Sequence, residues 1–533
     1  MARRPNTMSQ ASYPLDPSVP LGFVEKWSFK VQLQILIYFS CCYIALCLLP
    51  NQIWNSEARE FVYVIGILGV WRYTWWLTHL ARAVIFSRIT FPRMRRRANA
   101  VWASGWRPKH VHFQMTTFRE ARQTAEAVVR SICSEVRAAG CPATVWLGSS
   151  EAEDERTLSN HFKLIGDEMG IDLELRIIRQ NQPGKRVAIA LILRAMSRAG
   201  LGHDDLVVFM DGDFVLDKGC LTLCLPLFAT DPDLHALTTD EDVIVKGPGW
   251  MQSWLGMRFS QRRMAMQSHA LSRRVLTLTG RFSMFRATHI TSLEFIRLQE
   301  ADFLDHWLWG KFRFLSGDDK STWYTLLRTG CSMTYVPDAR GYTIEIIEGS
   351  ARKRMVENLR RWSGNMLRNG QRAIMLGPSR MPFFIWWCCV DQRLAMWTML
   401  FSPLLALAGA LKLGPSFFIA YLVFIAFTRG LLALILSIYA HRVDLNFIWS
   451  LYANQLVNAA VKVYMLWRLA KQKWANRGNQ SAGMGGVSLL AMFRNAMAMW
   501  LTTISVAGLF LIVMVYTKLL TVPSAGFLSA LIS

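Results

Sequence analysis

Long apolar runs flank a central region in which short apolar runs alternate with helical periodicity. Residues 31–49 and 61–86 are long enough to cross a bilayer, and Trp71, Trp75 and Trp76 in the second suit an interfacial belt. Between 110 and 350 the pattern shortens. Strand-like runs are expected at 110–116, 143–147, 173–178 and 206–210, with helical patterns such as 120–139 and 186–198 between them. Strands alternating with helices predict an α/β domain on a mostly parallel sheet. At 351–372, Met355, Leu359, Trp362 and Met366 recur at helical spacing among seven basic residues, which predicts an interfacial amphipathic helix. Apolar runs then return at 394–411, 416–440, 447–467 and 498–517.

Charge orients this pattern. The chain of 533 residues is 52% apolar yet carries a formal charge of +23, which suits a membrane protein with a basic cytoplasmic part. No helix-turn-helix, zinc-finger or RNP pattern accompanies the charge, so a nucleic-acid partner is not expected. Residues 87–109 hold seven basic residues and no acid, which places the N-terminus and everything after Phe86 on the cytoplasmic side. If all four late runs cross, the basic loop at 468–494 lies outside, against that rule. The polar run with Asn454, Gln455, Asn458 and Lys462 is therefore expected to be interfacial or to line a cavity. The expected organisation is a cytoplasmic N-terminus (1–30), two spans (31–86), a cytoplasmic domain (87–350), interfacial helices (351–390), further spans (391–520) and a short tail (521–533). The ten cysteines are scattered without Cys-x-x-Cys, which argues against structural zinc or a disulfide framework.

Three clusters carry candidate chemistry. The run Leu206-Val207-Val208-Phe209-Met210 leads into Asp211-Gly212-Asp213. It reads as a buried strand ending where open α/β sheets place their ligands. Two carboxylates there make hard-oxygen donors for a divalent cation carrying phosphates. Gly317-Asp318-Asp319 follows later, and Arg361-Trp362 falls on the amphipathic helix. With a sugar nucleotide as substrate, Asp211 and Asp213 hold the metal. An Asp beyond it takes a proton from an attacking hydroxyl, Arg361 steadies departing phosphate charge, and Trp362 offers a face to a sugar ring. Arg429 and Lys462, inside apolar runs, are candidates for a polyanion translocation path or for pairing with a membrane acid. Arg72 is expected to snorkel to the interface.

Over residues 20–520 the chain resembles the processive family-2 glycosyltransferases: the cellulose, chitin, hyaluronan and alginate synthases. Asp211-Gly212-Asp213 matches the family's Asp-x-Asp, Gly317-Asp318-Asp319 the motif whose last Asp is the base, and Arg361-Trp362 the end of Gln-x-x-Arg-Trp. The segment 280–286 is similar to the acceptor-side Gly-x-x-Ser-x-Tyr-Arg, and Lys185 sits where the family has a basic residue reaching the nucleotide. Thr117, Glu120, Lys185, Asp211, Asp318, Arg361 and Trp362 are thereby implied as substrate-binding. The chain departs from the family at Thr116-Thr117-Phe118-Arg119-Glu120, at Leu147-Gly148-Ser149-Ser150 and at Asn358; the first two are compatible with guanine in place of uracil.

The resemblance implies a GT-A-type cytoplasmic domain inserted between transmembrane helices, Mg2+ or Mn2+ as cofactor, and inversion at the donor sugar. It is nearest to the alginate-synthase members, which implies GDP-mannuronate as donor and export of a growing polysaccharide across a bacterial inner membrane. It also implies a separate cyclic-diguanylate-sensing co-polymerase subunit, since no regulatory domain is expected after the last span. The rival readings are a UDP-sugar synthase, a non-processive transferase acting on a lipid carrier, and a transporter with a regulatory soluble domain.

Overall fold

The computed structural model describes residues 28–521, apart from 55, 182–183, 348, 442–443, 475–479 and 483–487. Nearly all of the expected N-terminal segment and C-terminal tail, and much of the basic Gly-rich loop, lie outside the described residues.

The apolar runs of the central region form strands close to the expected bounds: β1 His110–Thr116, β2 Ala143–Ser149, β3 Glu174–Arg179 and β4 Asp205–Asp211. They pair in parallel in the order β3-β2-β1-β4. Their β-branched and aromatic side chains are covered by helices such as Arg122–Ala139 and Lys185–Arg198, as parallel strands require.

The other half of the sheet keeps it mostly parallel but inserts two reversed strands. It adds β5 Phe214–Leu216, β6 Leu234–Lys246 and β7 Phe282–Arg286, then, beyond the separate hairpin of β8 Phe303–His306 and β9 Gly310–Arg313, the long β10 Ser332–Ile346. The full order is β3-β2-β1-β4-β7-β6-β10-β5, with β6 and β10 pairing in parallel, β7 antiparallel to both neighbours and β5 antiparallel to β10. Hydrophobic period marks a strand but not its direction, so the mixed character was invisible in the pattern. It has a local consequence: antiparallel β7 begins where β4 ends, and the Asp211 N–H donates to the Arg281 carbonyl at 3.3 Å.

Among the described residues four helices are long and apolar enough to cross a membrane: Phe29–Cys47, Phe383–Leu413, Pro415–Tyr439 and Leu489–Tyr516. The chain is a membrane protein. Helices Ser56–Ile85 and Phe447–Leu466 pack among these four without matching their apolarity. Phe447–Leu466 carries the polar residues Asn454, Gln455, Asn458 and Lys462.

The Phe383–Leu413 helix starts eleven residues before its apolar run and so carries Asp391 into the bundle. Arg72 meets that carboxylate at 2.5 Å, both side chains being 13% exposed, and donates to Thr398 Oγ1 at 3.0 Å. Arg72 is thus an internal ion pair and does not snorkel. The reason is the helix extension, which supplies an acid that the apolar run alone leaves out.

The amphipathic segment is the helix Ala351–Leu376. Its Leu359 is buried, and Met355 and Trp362 pack with Trp254, Leu432 and Leu451, so this stripe faces protein from both the Gly249–Ala270 helix and the bundle. Arg368, 1% exposed, donates to the Leu469 carbonyl at 2.9 Å and to Asn365. This helix therefore joins the sheet to the membrane helices.

Removing one partner of a buried pair strands the other charge, at a cost of about 3–5 kcal/mol. Arg72→Ala is expected to lower the thermal unfolding midpoint in detergent strongly, whereas the apolar double change Arg72→Met with Asp391→Met costs far less. Equal losses in the two variants would contradict the pairing.

Candidate active site

The site begins where β4 runs out. Asp211 is its last residue, and the Gly212 N–H donates to the Thr116 carbonyl of β1 at 2.9 Å. A Cβ at Gly212 would stand 3.0 Å from that oxygen and 3.1 Å from Thr117 Cβ, so only glycine lets the two strand ends approach this closely. The consequence is that Asp211 and Asp213 sit at the lip of the cleft, part-buried, at the carboxyl end of the sheet.

Lys185, first residue of the helix Lys185–Arg198, reaches across this lip. Its Nζ lies 2.8 Å from Asp211 Oδ1 and 2.9 Å from Asp318 Oδ2, with the lysine side chain only 7% exposed. Asp318 and Asp319 open the helix Asp318–Arg328, where the helix dipole favours negative charge. Gly317 before them has φ 87°, and a Cβ there would fall 2.8 Å from Asn365 Cγ, so this turn is wedged against the Ala351–Leu376 helix and admits no side chain.

Burial alone would raise the proton affinity of Asp318, but Lys185 and Arg186 overcome it and hold the carboxyl below its ordinary value. Asp319 goes the other way. Burial and the negative Asp318 beside it push its carboxyl up, against the opposing pull of Lys320 and Lys185. Two neighbouring carboxylates with opposite shifts are the pattern of a fixed anion next to a proton acceptor.

Three sequence-selected residues, Lys185, Asp211 and Asp318, are therefore in direct contact, and Asp319 adjoins them. Thr117 is buried beside Gly212 and also lines, with Glu120, Arg119, Arg122, Glu151 and Asp154, a cavity of about 500 Å3 beyond the end of β1. Arg361 faces the cleft from the Ala351–Leu376 helix: burial lowers its proton affinity, Arg281 adds to this, and Asp319 opposes it. Trp362 stacks on Trp254 at 6.1 Å with 21° between the planes. Arg429 and Lys462 lie on helices of the bundle and touch none of Lys185, Asp211 and Asp318 among the described contacts; Arg429 Nη1 donates to Tyr73 Oη at 3.4 Å.

Pattern reading missed two groups. Arg281 is held charged, against its burial, by Glu241, Asp213, Glu345 and Asp211 around it. Glu241 Oε2 is 3.5 Å from Arg281. Their signal was present, in the acidic triplet Asp240-Glu241-Asp242 and in the quoted segment 280–286. In that segment Arg286 is structural: buried, it donates to the carbonyls of Leu234, Phe228 and Asp231 at 2.9, 2.7 and 3.1 Å, at the far end of β7. All ten cysteines are free thiols.

A family model described as glycosyltransferase-like family 2 matches residues 108–365. The chain is 38% identical over 443 residues to glycosyltransferase alg8 of Pseudomonas syringae pv. tomato, an alignment covering 83% of this chain and 89% of that one. The chain belongs to the family-2 glycosyltransferases. The enzyme is also 37% identical over 448 residues to glycosyltransferase alg8 of Azotobacter vinelandii, with 83% and 89% covered. Among solved structures, a mannosyltransferase of Pyrobaculum calidifontis in complex with GDP-mannose and Mn2+ is similar at 16% identity and a TM-score of 0.42, covering 72% of this chain and 98% of that one. The eight-stranded mixed sheet is the GT-A-type domain of this glycosyltransferase, flanked in sequence by apolar helices.

A methyl group at Gly212 must push the ends of β1 and β4 apart, an overpacking cost of about 1–3 kcal/mol. Gly212→Ala is expected to keep the far-UV circular dichroism of the wild type and to bind nucleotide more weakly in a calorimetric titration. Unchanged nucleotide affinity would show that the close approach of Thr116 and Gly212 has no bearing on the cleft.

Proposed function

We propose that this family-2 enzyme polymerises GDP-mannuronate into polymannuronate, the alginate precursor, processively at the inner face of a bacterial inner membrane. The single observation that carries the reading is the Lys185 bridge, which ties Asp211 at the donor end of the cleft to Asp318 beside the raised Asp319. Relatedness to the two alg8 proteins supports the choice of polymer.

The donor diphosphate belongs at the lip, where Lys185 and the guanidinium of Arg281 supply positive charge next to Asp211 and Asp213. These two carboxylates suit Mg2+ or Mn2+: they are hard oxygen donors, part-buried at a cleft edge rather than sealed in the core. When bound, such an ion neutralises charge on the diphosphate. The nucleoside would take the cavity of about 500 Å3, whose Glu151, Glu153 and Asp154 offer acceptors to the N–H donors of guanine, with Thr117 and Glu120 also in its lining.

In the reaction the acceptor hydroxyl oxygen attacks the anomeric carbon from the face opposite the diphosphate. The new C–O bond forms as the bond to phosphate oxygen breaks, and the nucleoside diphosphate leaves with that electron pair. The hydroxyl proton passes to Asp319. A raised proton affinity suits that task, because a base must hold the proton it takes. Asp318, kept charged by Lys185, stays an anion throughout and orients that ammonium. Arg361 supplies positive charge towards the departing phosphate, and Trp362 presents an aromatic face to the acceptor end.

The product then passes among the bundle helices, with Arg429 and Lys462 as cationic points for a polyanion. The soluble domain is cytoplasmic in this reading, following the basic 87–109 segment. Control by a separate cyclic-diguanylate-sensing subunit is part of the same proposal and rests on the resemblance to the alginate synthases.

Membranes containing the protein are expected to form polymer from GDP-mannuronate and not from UDP-glucose or UDP-glucuronate. Polymer from a UDP-sugar alone would overturn the donor assignment. Asp319→Asn is expected to abolish polymer while leaving GDP affinity intact, and residual polymerisation above about one-hundredth of wild type would remove Asp319 from the base role, since acid–base catalysis contributes about 10²–10⁴-fold. With the carboxyl raised, the base is protonated and silent at low pH. Activity is thus expected to rise through an apparent pKa above the ordinary aspartate value of about 3.9, read from kcat/KM against pH. An acid limb below that value would contradict the assignment.

A further inference from the structure

Behind the catalytic cleft, the Trp254–Trp362 stack carries a cation on its flank. Arg258 lies one helical turn after Trp254 on the Gly249–Ala270 helix, its guanidinium carbon 5.4 Å from the Trp254 ring centroid and 4.7 Å from that of Trp362. Its hydrogen bond, at 3.1 Å, goes to Asn454 Oδ1, which also accepts from Trp254 Nε1 at 2.9 Å. Among the described residues no carboxylate pairs with Arg258, and burial lowers its proton affinity to about 10.

A second cation lies within electrostatic reach of the first. Lys462 follows Asn454 by two turns on the same side of the Phe447–Leu466 helix. It makes no hydrogen bond or ion pair with any described residue, and Arg258 is the cation that acts on it. The acid within electrostatic reach, Asp391, is already engaged by Arg72 at 2.5 Å. Two like charges held together away from bulk water are costly unless an anion joins them.

The surroundings specify that anion. Two parallel indoles offer flat apolar faces of the kind a pyranose ring packs on, and a guanidinium takes a carboxylate in a planar, bidentate fashion. The position lies between Trp362, on the helix that borders the catalytic cleft, and a helix of the membrane bundle. We propose that Arg258 and Lys462, set against the Trp254–Trp362 stack, form a subsite for the carboxylate of a uronate unit in the growing chain. The subsite rests on the polymannuronate reading above and deepens it: it makes the protein a reader of acidic sugar at the exit of the cleft. A neutral polysaccharide would leave both cations without a counter-charge.

The test uses the full chain in nanodiscs of zwitterionic lipid, so that no anionic headgroup competes. Affinities for tetramannuronate and for neutral mannotetraose are measured in wild type, Arg258→Met and Lys462→Met, with GDP affinity as the check on an intact nucleotide site. The wild type is expected to favour tetramannuronate at least tenfold, each variant to lose most of that preference, and GDP affinity to hold. Lys462→Met removes a side chain that has no polar contact to lose, so its result stands even if Arg258→Met folds poorly. A preference that survives in Lys462→Met and in any folded Arg258→Met overturns the subsite while leaving the polymannuronate reading in place. A wild type with no preference for the acidic oligomer overturns both.

Discussion

One ammonium group holds the candidate cleft together. Lys185 sits between Asp211 and Asp318, which belong to elements far apart in sequence, the end of β4 and the start of the Asp318–Arg328 helix. Burying three charges is costly unless their geometry is good, and the chain makes room for that geometry by omission. A Cβ at Gly280 would lie 2.9 Å from Lys185 Nζ and 3.3 Å from Asp318 Oδ2. Glycines at 212, 280 and 317 thus mark three places where side chains would spread the cluster. The bridge also shapes the electrostatics: Asp318 is neutralised by its partners while Asp319, next to it, is left with raised proton affinity. The contacts of Lys185 and the opposite shifts of the two carboxyls are thereby set by the same buried cluster.

The second constraint joins this cleft to the membrane. Midway along β6, Asp240 pairs with Arg263 at 2.8 Å and with His441 at 3.3 Å. Burial would raise its carboxyl, yet Arg263 and His441 keep it ionised. His441 belongs to the loop after the Pro415–Tyr439 helix, and Asp444 of that loop also bonds Ser253 of the Gly249–Ala270 helix. With the Ala351–Leu376 helix also packed on bundle helices, the domain is fastened to the bundle at two separate places. Under the proposed function, a cleft fixed to the bundle in this way would stand where a product could pass to the membrane helices.

Much of this was legible in the chain. The strands at 110–116 and 206–210 and the helices at 186–198 and 351–372 followed from hydrophobic period, and the motif residues were picked out because three clusters, each weak alone, occur together in the order that the family resemblance implies. What stayed hidden depends on direction and distance. The antiparallel entry of β7, which brings Arg281 to Asp211, leaves no trace in a five-residue alternation. Asp391 looked like a boundary residue, and Arg72 like a snorkelling one, until the helix extended past its apolar run. Arg258 gave no signal at all, because its meaning lies in Trp254, Trp362 and Lys462, which only packing brings near.

The account stands or falls on where the nucleotide and its metal settle. The most direct measurement is a structure of the protein with GDP and Mn2+ bound. The account predicts the ion on Asp211 and Asp213, guanine in the cavity lined by Thr117 and Glu120, and Lys185 turned from Asp211 to phosphate while Asp319 remains open to the acceptor side. Nucleotide bound elsewhere, with Lys185 still closed between Asp211 and Asp318, would contradict it.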